Sequence, residues 1–140
     1  MKFSYTRYRG GQAPIIPIEV RGRRRWHKVW AYVDSGASHS ILRPEEAQRL
    51  GVTDLLPQRV AMRSSGGRTL ALKLYRLAVR LGSWRGLVTF GVPQGFDLDF
   101  NLLGRQDVFE HFIISFRERE GQLTFTPRRR GSRAKRVRRR

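Results

Sequence analysis

Asp34-Ser35-Gly36 is the segment of this 140-residue chain whose residue types and spacing best fit chemistry. It follows the apolar run Val29-Trp30-Ala31-Tyr32-Val33 and is followed by Ala37, Ile41 and Leu42. A carboxylate set directly after a buried strand is presented at the strand's end, at a tight turn. Gly36 lets the backbone approach closely, and the Ser35 hydroxyl is suited to lock the loop by hydrogen bonding. Turn chemistry alone is common: a D-[ST]-G triplet arises by chance in roughly one chain in fifteen of this length. The apolar flanks on both sides lift this one above an ordinary turn.

Other chemistries fit less well. The absence of cysteine excludes a disulfide framework, a thiolate metal site and a thiol nucleophile together. His27, His39 and His111 show neither H-x-x-x-H nor H-x-H spacing, so no metal is expected. No phosphate-cradling glycine loop occurs, and no cofactor is expected. Asp34, Ser38 and His39 do not make a triad, because neighbours on one turn point apart while a triad converges from separate elements. Trp26, Trp30 and Trp84 stand near arginines, as base-stacking residues do, but tryptophans more often serve a core or an interface.

A second motif lies downstream. Asn101-Leu102-Leu103-Gly104-Arg105-Gln106 reads as an apolar strand that ends in glycine and opens a helix. Between the two motifs, Ser64-Ser65-Gly66-Gly67 is a strong turn signal with strands on either side. The three features, in this order, resemble the retropepsin-like aspartic proteases of the cellular and bacterial type, over roughly Ile15 to Phe125. The resemblance implies an all-β fold, a small closed barrel with one or two short helices. It implies that Asp34 is catalytic, supported by Ser35, Gly36 and Ala37, and that Ser64, Ser65, Gly66 and Gly67 form the tip of a flap. It also implies that Leu102, Leu103, Gly104 and Arg105 support the catalytic loop from the second motif. Serine stands where threonine is commoner, and Ser38 stands where viral members carry an acid that pairs with the arginine, so Arg105 is left to meet Glu110 or a backbone carbonyl.

Aspartic proteolysis needs two carboxylates sharing one proton, one as general base toward water and one as general acid toward the substrate carbonyl. Of eleven acidic residues only Asp34 stands in this turn context, while Asp97 and Asp99 fall on an expected strand. One chain supplies half a site. The expected enzyme is therefore a homodimer with Asp34 of two copies meeting across a two-fold axis, acting on a peptide or protein substrate. Two alternatives stand beside it: a non-catalytic module of the same fold that binds peptide or protein, and a basic nucleic-acid-associated protein.

Short strands must position these motifs. Ile15 to Val20 alternates with period two, with Pro17 placing it at an edge or a bulge. Val29 to Val33 reads as a strand buried on both faces. Pro44 to Leu50 reads as a helix of about two turns, with Glu45 and Glu46 at its start and Gly51 as its stop. Leu70, Leu72 and Leu74 alternate, then Leu77, Val79 and Leu81 alternate in the opposite phase, which predicts a bulge or a change of face near Tyr75-Arg76. Leu87 to Val92 and Phe96 to Phe100 read as strands, Val108 to Phe112 as helical, and Leu123 to Thr126 as a terminal strand.

Charge divides the chain. The net formal charge is +18, and half of it lies in Arg128 to Arg140, where nine of thirteen residues are Arg or Lys. That stretch reads as a disordered basic tail after a domain of residues 1–127, suited to nucleic acid or another polyanion. Arg21, Arg23, Arg24 and Arg25 form a second basic cluster at an expected turn. With 39% hydrophobic residues and 15 aromatics the body supports a core. The expectation is a cytoplasmic protein, since neither an apolar run of membrane-spanning length nor a secretory signal is present.

Overall fold

The structure, a computed structural model, describes residues 1–52, 58–63, 67 and 69–129. The expected flap-tip residues Ser64, Ser65 and Gly66 and the tail from position 130 onward lie outside them. In chain order the elements are β1 (Lys2–Ser4), β2 (Thr6–Tyr8), β3 (Gly11–Ala13), β4 (Ile15–Arg21), β5 (Trp26–Val33), β6 (Ser40–Ile41), α1 (Pro44–Leu50), β7 (Gln58–Arg63), β8 (Thr69–Leu81), β9 (Trp84–Pro93), β10 (Asn101–Leu103), β11 (Phe112–Arg117) and β12 (Gln122–Pro127).

Six strands, in the order β4-β5-β10-β6-β9-β8, close into a barrel when β8 returns to β4. That closure rests on two register pairs, Glu19 with Arg80 and Val20 with Val79. By contrast β8 and β9 pair without interruption from Leu72–Pro93 to Leu81–Trp84. Pro17 lies on β4 short of the β8 pairing, where its missing N–H deprives no ladder. Val20, Val29, Val79, Phe90 and Leu103 fill the interior at no more than 1% exposure, as expected for β-branched, aromatic and leucine side chains on inward positions.

The first half of β8 pairs with β7, from Arg63–Thr69 to Gln58–Leu74, in a hairpin that leaves the barrel. On β8 the buried positions shift from Leu72 to Tyr75, Leu77, Val79 and Leu81 without a bulge. The strand changes faces as it passes from the hairpin into the barrel wall. At the far end of the chain β1 pairs with β12 and β12 with β11, making a separate three-stranded sheet. The small β2–β3 hairpin stands beside the barrel.

Four expectations need correction. β5 is buried on one face only, because the barrel's outside meets solvent: Trp30 is 47% exposed. Phe96 to Phe100 is a loop, held by the Asp97 carboxylate, which accepts from the Leu98 N–H (2.7 Å) and from Arg43. Val108 and Phe109 lie in a single wide turn, Arg105–Phe109, whose Gln106 and Asp107 have non-helical dihedrals. Phe112 opens β11 rather than extending a helix. α1, in contrast, spans the expected residues, with Pro44 in its first turn and Gly51 as a left-handed cap at φ 76°. Among the described residues no helix is long and apolar enough to cross a membrane.

Candidate active site

β5 and β10 run parallel, with Leu103 opposite Val33. The two motifs therefore leave the sheet side by side, at the same end. Asp34 N–H donates to the Leu103 carbonyl at 3.0 Å, joining the end of the first motif to the second. The loop then folds on itself: the Gly36 N–H donates to Asp34 Oδ1 at 2.8 Å and the Ala37 N–H to the Asp34 carbonyl at 3.2 Å. This small ring fixes the direction of the carboxylate, which stays half-buried beside exposed Ser35 and Gly36.

The second motif grips the loop from beneath through the backbone. Arg105 N–H donates to the Ala37 carbonyl (2.8 Å) and Gln106 N–H to the Ser38 carbonyl (3.0 Å). Glycine at position 104 is required for this contact, since a Cβ there would meet the Ala37 carbonyl oxygen at 2.7 Å and the His39 backbone. Leu103 is fully buried and Leu102 half-buried, so the motif is anchored by its aliphatic pair. The Arg105 guanidinium is exposed, over a shallow cleft lined by Ser38, Gln106, Asp107 and Glu110. What meets a backbone carbonyl at this position is thus the Arg105 amide, not its side chain.

Two positioning residues escaped the sequence reading. The fully buried Ser40 hydroxyl accepts from the Gly104 N–H at 3.0 Å, a locking role that had been expected of Ser35. Among the described residues Ser35 makes no hydrogen bond of this kind. Asn101 accepts from the Arg43 N–H (2.9 Å) and donates to the Trp30 carbonyl (3.0 Å) and to Glu46 (3.3 Å), tying the second motif to β5 and α1. For Asn101 the available signal was a lone polar residue between Phe100 and Leu102; Ser40, directly after Ser38 and His39, offered none. Asp97 and Asp99 are engaged elsewhere: Asp97 with Arg43 at 2.9 Å, and Asp99 with Arg9 at 3.8 Å.

An aromatic group flanks the loop, with Phe100 5.3 Å from Tyr32 and 4.8 Å from Tyr8 between ring centroids. On the hairpin side Gly67 is exposed, at φ +80° with open space around its Cα. Among the described residues no group of three or more His, Cys, Asp or Glu is placed to hold a metal ion.

Residues 16–106 match the family described as aspartyl protease. The chain belongs to that family. DNA damage-inducible protein 1 of Cryptococcus neoformans var. neoformans serotype D, from strains JEC21 and B-3501A, is 35% identical over 86 residues, 60% of this chain. The chain spans about a fifth (19%) of the length of these curated relatives. Among solved structures, a retropepsin-like aspartic protease from Rickettsia conorii superposes with a TM-score of 0.59 at 25% identity, covering 89% of each chain. The fold is thus an all-β retropepsin fold of the aspartyl protease family.

Proposed function

We propose that two copies of this chain form one aspartic endopeptidase, with Asp34 of each contributing half of the catalytic pair. One observation carries the reading: the chain's single D-S-G turn holds a half-buried carboxylate in a fixed direction, and each chain has only one. Two like charges a few ångströms apart cannot both ionise, so a pair of these carboxylates holds one proton. The ionised member takes a proton from water as the water oxygen attacks the peptide carbonyl carbon. The protonated member gives its proton to the carbonyl oxygen; the carboxyl that took the water's proton then passes it to the nitrogen, its partner takes back a hydroxyl proton, and the gem-diol collapses to acid and amine.

The C-terminal sheet supports the dimer. β11 is one of its two edge strands, paired on one side only among the described residues. Ile113 (53% exposed) and Phe116 (41%) stand on that strand, apolar side chains that a second copy would cover.

Asp34→Asn keeps the shape of the side chain and its bond from Gly36 while removing the acid–base group. Peptide cleavage should fall by roughly 10³–10⁴-fold with the fold unchanged. Wild-type protein refolded together with excess Asp34→Asn should lose activity beyond simple dilution, because mixed dimers hold one carboxylate. Full activity in the mixture would show that each chain works alone. Wild-type turnover by Asp34→Asn would point instead to a binding module or to another catalytic group.

A further inference from the structure

The outer face of the barrel, along β5 from Trp26 to Trp30, carries an arrangement that peptide hydrolysis does not use. Trp26, Lys28 and Trp30 alternate with buried residues, so all three project outward from one strand at steps of about 7 Å. The register extends this line sideways: Arg21 lies opposite Trp26, and Glu19 opposite Lys28 and Arg80. Arg80 pairs in turn with Arg85 on β9. The Arg80 and Arg85 guanidiniums lie 3.9 and 5.3 Å from the Trp26 ring centroid, and Lys28 Nζ lies 5.1 Å from that of Trp30. Glu19 is the one carboxylate on β4, β5, β8 and β9.

We propose that this face binds single-stranded nucleic acid, with Trp30 stacking on a base and Lys28, Arg21 and Arg85 meeting phosphates. Cations interleaved with exposed rings are the recurring design of sequence-tolerant single-strand binding, since every base offers a π-face and every nucleotide a phosphate. Trp30 is 47% exposed, so its ring is available to a base. The outside of a small barrel is convex, which suits a strand that can bend and unstack better than a stiff duplex. An anionic membrane fits less well. The other exposed apolar residue of this face, Leu87, lies in the row of Trp26 and Arg21, and the Lys28–Glu19–Arg80–Arg85 row separates it from Trp30. No continuous apolar patch is left to insert into lipid.

The test uses the full chain, so that the contribution of the basic C-terminus is present in every arm. Binding of a short fluorescent oligothymidylate is followed by anisotropy across a salt series. Trp30→Ala should weaken binding roughly tenfold or more, and Trp30→Phe should retain most of it. Lys28→Ala combined with Arg85→Ala, which removes two phosphate contacts, should reduce the salt slope by about 1.4. Peptide cleavage by all three variants should match the wild type, because none of these side chains belongs to the active site. Unchanged affinity and slope in Trp30→Ala and in the double variant would overturn the assignment and move any binding to the C-terminus. A duplex of the same length that binds as tightly, or polyglutamate or phosphatidylserine vesicles that displace the oligonucleotide as well as free oligothymidylate does, would overturn it too.

Discussion

Gly104 is the residue at which the two motifs come closest, and its lack of a side chain is what permits the contact. A methyl group there would press on the Ala37 carbonyl and the His39 backbone, and neither can swing aside as the end of a long side chain would. Gly104→Ala should therefore destabilise the protein by about 1–3 kcal/mol. Activity should fall further than stability accounts for, because the displaced atoms carry the Asp34 loop; urea unfolding and cleavage assays on one preparation separate the two. A second prediction concerns Asp97, whose carboxyl is held below the usual range first by the Arg43 hydrogen bond and then by the Leu98 N–H. Its folded value lies below its unfolded one, so its contribution is present above about pH 4 and lost as pH falls through the lower, folded value. The Tm difference between wild type and Asp97→Asn should narrow on acidification; a constant gap would show that the Arg43 clamp does not depend on charge. The Asp34 turn was legible in the sequence because its chemistry is local, and Gly104 was singled out through the motif that carries the resemblance. The Gly104 contact and the hydrogen bonds of Ser40 and Asn101 were not, because they form only through the pairing of distant strands.

At the scale of elements, α1 was readable to the residue since its start and stop signals, Pro44 and Gly51, stand directly at its two ends. The left-handed conformation of Gly51 gives the third prediction. Gly51→Ala should cost about 1–2 kcal/mol in chemical denaturation, with the barrel intact. β1, β2, β3 and β11 carried no comparable signal. They are short or irregular in pattern, and β1 is ordered by a partner more than a hundred residues away. Phe96, Leu98 and Phe100 alternate as a strand would, yet among the described residues no strand pairs with them; Asp97 with Arg43, and Phe100 against Tyr8, hold them as a loop instead. Tyr5 joins the N-terminal strands to the turn after β11, its hydroxyl donating to Glu118 at 3.0 Å. Burial, and then the Glu118 hydrogen bond, push its pKa up to about 12. The stability this gives is complete below the unfolded value near 10 and lost as pH rises toward 12. Tyr5→Phe should consequently flatten the alkaline limb of the Tm–pH curve, while an unchanged limb would assign alkaline unfolding to other groups.

For the whole molecule, the proposed catalytic pair makes activity a property of association. Specific activity should fall on dilution through the dimer dissociation constant, and sedimentation over the same range should show dimer giving way to monomer. Replacing Ile113 and Phe116 together with serine should shift both curves to higher concentration, and by the same factor. A shift in sedimentation without one in activity would separate assembly from catalysis.

The barrel's closure has a consequence in time. Its wall is held by ten residue pairs between β8 and β9 and by seven between β4 and β5, but by only two where β4 meets β8, two between β6 and β9 and one between β6 and β10. A cylinder so made opens at these thin seams before the long β8–β9 and β4–β5 hairpins separate. In native-state hydrogen exchange the amides of Glu19 and Arg80, which face each other across the β4–β8 seam, should thus trade deuterium sooner than those of Leu77 and Val88. The Glu19–Arg80 ion pair sits on the same seam at 3.9 Å, half in solvent. Raising ionic strength should hasten exchange there selectively, so a slow clock and a faster one would lie on two sides of a single strand.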